Sequence, residues 1–418
     1  MKFLLILLLL IPVITASAKQ KSAKSQKETK GGKEPKKDQA LRETVKANTK
    51  FVINFFKHLT SRSSQNKDSP PKNVVLSPLS ISSAFSMMLL GAKTKTHQEV
   101  WKGLSLNNTG CREMEVHQAY SALLQALNEP KSSLQVNVGN AIFLKDKLTV
   151  LQSFKDDTQR YYHAEIMQED FSDLKKVEKK INRYVKNKTK GKINELIKDL
   201  HKDTKMVLIN YVLFKGEWQE TFHPDNTRVE KFLVDEKTMV DVPMMHRTGI
   251  YNTYHDTDLP CTVVELPYKD NASMIIALAE PGKIHKIEQG MSAKTIQRWR
   301  TSFIEGYIEL SVPKFSISST IDLKEVLRAL GIRTAFSKDA KFPGITRDIK
   351  LKVGKAVHKA VLDVDEKGTV AAGATAIETV PLALFKQIQI NRPFISIICE
   401  HKTNSILFMA TVMNPARK

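Results

Sequence analysis

Segments of strand texture crowd the second half of this chain and helical periodicity fills the first half. That segregation limits the fold more than any other feature. From Met206 onward the strand-like runs read MVLINYVLFKGEW, CTVVELPY, SMIIALA, YIELSVPKFSIS, QIQI, PFISII and SILFMATVM, with one helical return at Leu323–Leu330. Helices gathered ahead of strands predict an α+β fold, because a parallel βαβ fold needs the two to alternate. In the first half, Leu41, Val45, Val52, Phe55, Phe56 and Leu59 recur at helical spacing. Leu76–Lys93 reads as a buried helix, with Ser77 at the N-cap, Pro78 in the first turn and Gly91 at the stop. Asp173–Gly191 is an amphipathic helix, and Val136–Leu144 is a strand. Length alone suggests two or three domains of roughly 100–200 residues each. The chain from residue 41 to 418 nevertheless has no repeat and no composition break, so one large domain is expected.

Residues 1–18 stand apart. A basic start, an apolar run from Phe3 to Val13 and the small residues Ala16-Ser17-Ala18 have the layout of a cleaved secretory signal. The run is shorter than the roughly 20 residues a membrane span needs. Residues 19–40 are rich in Lys and poor in core-forming side chains, so they are expected to stay unfolded as a basic tail. A secreted, extracellular protein follows from this reading, and a monomer is expected. The sequons at Asn107, Asn187 and Asn271 agree with it as N-glycosylation sites on the surface.

The balance of 65 Lys and Arg against 44 Asp and Glu favours polyanionic partners. For a secreted chain that means glycosaminoglycan before nucleic acid. Lys175, Lys176, Lys179, Lys180, Arg183 and Lys186 form one candidate polyanion surface; Lys283, Lys286, Lys294, Arg298 and Arg300 form a second. Cys111, Cys261 and Cys399 are too few and too scattered for a disulfide framework or a zinc site. No nucleophile elbow, His-Glu-x-x-His, Cys-x-x-Cys or phosphate-binding glycine loop is present, so neither an enzyme nor a metal centre is expected.

Several stretches carry a family resemblance. NVVLSPLSISSAFSMMLLGA, LINYVLFKGEW (Leu208–Trp218), VPKFSI, KAVHKAVLDVDEKGT (Lys355–Thr369) and INRPFISII (Ile390–Ile398) resemble the serpins, and specifically their antitrypsin-like extracellular clade, over Leu41 to Pro415. The resemblance implies three β-sheets, about nine helices and an exposed reactive-centre loop. It also implies a suicide-substrate inhibitor of serine proteases. The target cuts the loop and forms an acyl-enzyme; the loop then enters a sheet as a new strand and deforms the trapped protease in a covalent complex. Counting along the loop places the scissile bond at Leu382-Ala383, which suits chymotrypsin-like or elastase-like targets. Glu366, Gly368, Thr369, Ala371, Gly373 and Thr375 are the implied hinge. Ser77, Ser80, Asn210 and His358 are the implied shutter beneath the sheet, and Trp218 stands at its upper end. No cofactor is implied beyond a heparin-like glycosaminoglycan as activator. A non-inhibitory serpin carrying a small apolar ligand, or acting as a binding protein, is the alternative.

The loop composition bears on this directly. In a strand, alternate side chains face opposite ways. Thr369, Ala371, Gly373, Thr375, Ile377, Thr379 and Pro381 share one face and include no charge; Glu378, the only charge, lies on the other. The first set is suited to burial, each new ladder hydrogen bond contributing about 0.5–1.5 kcal/mol net, while a buried unpaired charge would cost several kcal/mol. The sequence departs from the family pattern at Val370, where an acidic residue is common, at Ser396, where an apolar one is, and at Ala410, where Gly is usual.

Overall fold

The computed structural model describes residues 36–65, 72–127, 134–368 and 386–417. The chain begins with α1 (Lys36–Gln65), β1 (Val74–Leu76), α2 (Pro78–Leu89), α3 (Thr94–Gly103) and α4 (Glu113–Leu127). Then come β2 (Gln135–Lys145), α5 (Gln152–Tyr162), β3 (Glu165–Glu169) and α6 (Leu174–Lys188). The strand-rich half opens with β4 (Met206–Lys215), β5 (Thr227–Asp235), β6 (Thr238–Asp256), β7 (Cys261–Pro267) and β8 (Ala272–Ala279). α7 (Ile284–Gly290) and α8 (Ala293–Thr301) precede β9 (Ile304–Pro313), β10 (Phe315–Asp322) and α9 (Leu323–Ala329). The last elements are β11 (Lys355–Val364), β12 (Lys386–Gln389), β13 (Phe394–Glu400) and β14 (Ser405–Val412). The fold is α+β, with nine α-helices among the described residues. α1 starts at Lys36, inside the segment assigned to the tail, and already buries Ala40.

Among the described residues the strands form two hydrogen-bonded sheets, not three separate ones. One has five strands in the order β10-β11-β4-β2-β3. The other has nine, in the order β1-β14-β13-β8-β7-β6-β9-β12, with β5 also on β6. The cause is β6, a 19-residue strand. Thr238 to Met245 pairs with β5, Met244 to Thr253 with β9, and Asn252 to Asp256 with β7. Two groups of strands are thereby joined into one ladder.

The five-stranded sheet is buried on both faces, so its central strands are apolar at nearly every position, as double burial demands. On β4, Leu208 and Val212 point into the larger core with α2, while Val207, Ile209 and Tyr211 point into a second core under α6. α2 is buried along its whole length from Pro78 to Leu89. Ser77 does cap it, its side chain accepting from the Ser80 N–H at 3.4 Å. Gly91 has a different use from the expected helix stop: a Cβ there would lie 2.4 Å from Ile345 Cγ1. Close packing, not a left-handed cap, requires glycine at that position.

Candidate functional site

The centre of the site is a polar layer inside the five-stranded sheet. His358, Asn210 and Asn140 are register partners on β11, β4 and β2. All three are buried, and their side chains turn toward α2. Asn210 is the hub. Its oxygen accepts from the Ser80 hydroxyl at 2.7 Å and from His358 Nδ1 at 2.5 Å. Its amide donates to the Ser80 carbonyl at 3.0 Å and to the Asn140 oxygen at 2.8 Å. Asn140 donates in turn to the Ser83 hydroxyl at 3.3 Å. His358 Nε2 accepts from the Ser77 N–H at 3.1 Å, so the ring proton sits on Nδ1 and the imidazole is neutral. Burial alone pushes its pKa down to about 3.

The four shutter residues expected from the sequence therefore meet in one network. Ser77 joins it through its backbone N–H to His358, while its hydroxyl accepts from the Ser80 N–H. Asn140 and Ser83 belong to it as well. The available signal for Asn140 is its position, a lone carboxamide in an apolar strand interior, where a buried polar group requires partners.

β4 and β11 run parallel, and their ladder extends from Lys355↔Val207 to Val361↔Leu213. Both strands continue past that last rung, β4 to Lys215 and β11 to Val364. Glu366 and Gly368, two of the residues expected to form a hinge, sit at this end. Asp365 and Gly368 close a tight turn, the Asp365 N–H donating to the Gly368 carbonyl at 2.8 Å and the Gly368 N–H to the Asp365 carbonyl at 3.2 Å. Gly368 has φ of +126°, and a Cβ there would stand 2.2 Å from the Gly216 carbonyl oxygen. Only glycine fits on both counts. Gly368 also forms antiparallel bridges with Glu217 and with Asp365, so it lies between the continuations of β4 and β11.

Trp218 holds the turn from below. Its indole N–H donates to the Asp365 carbonyl at 3.0 Å and its backbone N–H to the Lys367 carbonyl at 3.1 Å. The ring stacks on Tyr268 with 4.3 Å between centroids. Glu366 is buried against Lys314 at 2.8 Å and the Thr227 hydroxyl at 2.9 Å. Burial pushes its carboxyl pKa up, but the hydrogen bonds from Lys314 and Thr227 outweigh this and leave it below the ordinary value. Thr369, Ala371, Gly373, Thr375, Leu382 and Ala383 lie outside the described residues, as do residues 1–35.

α6 covers the opposite face of the same sheet. Val177, Ile181 and Val185 pack with Ile209 of β4 and with Val357 and Val361 of β11. The segment after α6 is tied back to it: Asn182 accepts from the Leu196 and Ile197 N–H groups at 2.8 and 2.9 Å, and Glu178 accepts from the Leu200 N–H at 2.7 Å. The outer face of α6 exposes Lys175, Lys176, Lys179, Lys180, Arg183 and Lys186. Lys175 pairs with Glu178, and Lys180 with Glu169. Lys176, Lys179, Arg183 and Lys186 form no salt bridge among the described residues, although, beside the hydrogen bonds from Ser172, the charge of Lys176 helps hold the Asp170 carboxyl below its ordinary pKa. In the second basic cluster Arg298 is held by Asp256 and Asp258, and Arg300 by Asn404 and His401, which leaves fewer free cations. Asn107, Asn187 and Asn271 are all exposed.

One constellation resembles catalytic machinery: Ser311 Oγ lies 2.9 Å from His246 Nδ1, and His246 Nε2 lies 3.0 Å from Glu230. Ser311 is only 2% exposed inside β9, so its hydroxyl meets no substrate; the group braces β5, β6 and β9. The three cysteines are free thiols, Cys261 and Cys399 buried as small core residues.

The family model described as Serpin (serine protease inhibitor) matches residues 46–415. Serine protease inhibitor A6 of Xenopus laevis is 41% identical over 95% of this chain and 89% of the relative. Alpha-1-antiproteinase S of Cavia porcellus is 40% identical over 88% of this chain and 89% of the relative. Among solved structures, human thyroxine-binding globulin complexed with thyroxine superposes with a TM-score of 0.84 at 38% identity, covering 90% of this chain and 99% of that one. Human glycosylated kallistatin gives 0.83 at 37% identity, covering 91% and 99%.

Proposed function

The chain belongs to the serpin family, and from that premise we propose that it is a secreted inhibitor of serine proteases that traps its target by inserting its own cut loop. The observation that carries this reading is the placement of Gly368. The turn at Asp365–Gly368 reverses the chain, so whatever strand follows runs antiparallel to β11. Because β4 is parallel to β11, that strand is antiparallel to β4 as well and can pair with both. The bridge from Gly368 to Glu217 is already the first rung of such a strand. The ladder between β4 and β11 ends at Val361↔Leu213, directly below it. The small, uncharged face running from Thr369 to Pro381 suits burial there.

The polar layer at His358, Asn210 and Asn140 lies across the path. Opening β4 from β11 separates His358 from Asn210, so the network sets part of the barrier. α6, whose apolar face bridges the same two strands, sets another part.

Leu382-Ala383 is the proposed scissile bond, with a chymotrypsin-like or elastase-like protease as the target. The unpaired cations on α6 are the proposed site for a heparin-like activator. Cleavage of a signal after residue 18, glycosylation at Asn107, Asn187 and Asn271, and a monomeric state belong to the same reading. The test is incubation with chymotrypsin and with neutrophil elastase, followed by denaturing electrophoresis and by thermal melting of the cleaved chain. A covalent complex and a marked gain in heat resistance support the proposal. Clean cleavage with no such gain overturns it and favours the second reading, a ligand carrier, which the likeness to thyroxine-binding globulin recommends.

A further inference from the structure

α6 is fastened to the five-stranded sheet on both sides of the β4–β11 junction, but unequally. On one side Lys180 pairs with Glu169, and Lys188 with Glu165 at 2.5 Å; both acids lie on β3. β3 is joined through β2 to β4, so these two pairs hold α6 to the β4 half of the sheet. On the other side, among the described residues, stands a single salt bridge from Lys192 Nζ to Asp363 Oδ2 at 3.0 Å. Asp363 lies on β11 two residues beyond Val361, hence on the face that α6 covers. Glu195 attracts Lys359 of β11 as well, without forming a salt bridge.

The backbone of Lys192 is part of the end of α6. Lys190 and Gly191 take left-handed φ values of +49° and +80°, and the Gly191 N–H donates to the Lys186 carbonyl at 2.8 Å, which closes the helix and turns the chain back. The Lys192 N–H donates to the Thr189 carbonyl at 3.0 Å. The Thr189 hydroxyl donates to the Val185 carbonyl at 2.8 Å and accepts from the Ile193 N–H at 3.1 Å. The Lys192 side chain, by contrast, is 55% exposed. Lys186 and Lys190 flank it, both exposed and in no salt bridge among the described residues. The stripe of available cations on α6 therefore runs up to the pair that ties the helix to β11. Asp363 has a second donor, the Ser316 hydroxyl of β10 at 2.6 Å, so departure of Lys192 leaves its carboxylate hydrogen-bonded.

We propose that Lys192–Asp363 is a latch between α6 and β11, and that a sulfated polysaccharide seated on α6 opens it by drawing Lys192 away from Asp363. A lone pair with an exposed lysine is weak and is screened by salt. A polyanion already held by neighbouring lysines presents further sulfates to Lys192 at high local concentration. Once the pair parts, α6 stays with β3 and β4 and loses its ionic tie to β11, which lowers the barrier to separating those strands. A ligand shifts a conformational equilibrium only through unequal affinity for the two states. Here the inequality is one cation, because the unlatched form offers the polyanion Lys192 as well. The trigger rests on the polyanion reading above; the latch rests on the geometry alone.

Amide hydrogen exchange of the full chain reads how often the β4–β11 ladder opens, whether or not any strand enters it. Lys192→Gln is expected to speed exchange at residues 207–213 and 355–361 about threefold, as an exposed pair allows, and to leave the β8–β13 ladder unchanged. Unchanged exchange at 207–213 and 355–361, or an equal rise in both ladders, overturns the latch. Saturating heparin is expected to speed the same amides about threefold in the wild type and to add nothing in Lys192→Gln, which keeps Lys176, Lys179, Arg183 and Lys186 for binding. Bound heparin with no such effect, or with an equal effect in both proteins, overturns the trigger. If the wild type does not bind heparin, the polyanion reading fails and the trigger with it. Exchange in heparin-free Lys192→Gln still decides the latch.

Discussion

His358 on β11 donates its Nδ1 proton to the side-chain oxygen of Asn210 on β4, and its Nε2 accepts from the Ser77 backbone at the start of α2. One neutral imidazole thereby joins two strands and a helix. Its pKa falls from 6.5 to about 3 because burial disfavours the charged ring. A depressed histidine binds fewer protons when folded than when unfolded. Its contribution is therefore complete above about pH 6.5 and is lost as pH falls toward 3. The loss at pH 5 is expected to be about 2 kcal/mol relative to pH 8. Thermal melting of the wild type and of His358→Gln at both pH values checks this: the extra acid sensitivity of the wild type should vanish in the variant. An equal drop in both would assign the acid response to other groups.

Gly368→Ala places a methyl group against the Gly216 carbonyl and forces an L-residue to φ of +126°. The docked turn should lose about 1–3 kcal/mol. The expected outcome is faster proteolysis around the hinge in the intact protein, with the global melt changed less. Unaltered protection of the hinge would mean that the turn is not strained by a side chain.

Ala371→Glu puts a charge on the face of the loop that burial requires to be neutral. Complex yield with a chymotrypsin-like protease should collapse while cleavage continues, turning inhibitor into substrate. Leu382→Arg should redirect inhibition toward trypsin-like proteases by at least tenfold in rate, since those carry an acidic primary pocket. Failure of the second change alone would move the scissile bond to another residue without touching the insertion mechanism.

Ser396 and Ala410, two departures from the family pattern, face each other across β13 and β14. Ser396 is buried, and its hydroxyl has no hydrogen-bond partner among the described residues. Such a group costs about 1–3 kcal/mol. Ser396→Ala should raise the melting temperature, and a lower one would show that the hydroxyl has a partner.

On α6, reversing the charge of Lys176, Lys179, Arg183 and Lys186 together should abolish the salt-sensitive part of heparin binding. Retention on heparin at the wild-type salt concentration would transfer the site to the tail or to the α8 region. The fold should be retained, because none of the four makes a salt bridge among the described residues.

Local patterns made much of this protein legible. Leu76–Lys93 announces a buried helix by its cap, its proline and its lack of charge, and α2 occupies Pro78–Leu89 within it. Asp173–Gly191 announces an amphipathic helix, and α6 spans Leu174–Lys188 with its basic face outward. Ser77, Ser80, Asn210 and His358 were identifiable only through family resemblance, since each alone is an ordinary polar residue. The merging of two groups of strands along β6 was not legible, because strand pairing depends on partners far away in sequence. α5 is different: Phe154, Thr158, Tyr161 and Tyr162 recur at helical spacing, a signal that was available in the sequence.

By itself, the chain of residues determined the α+β segregation, the caps and periodicities of the main helices, and a loop segment whose alternate positions suit both water and a sheet interior. These are matters of spacing and side-chain size, settled between near neighbours. Tertiary structure alone decided that β4 and β11 are parallel neighbours, that Asn140 completes the polar layer, and that Trp218 reads the hinge carbonyls. Those outcomes join residues 70 to 148 positions apart. No local rule specifies such contacts; they follow from which surfaces can be buried together.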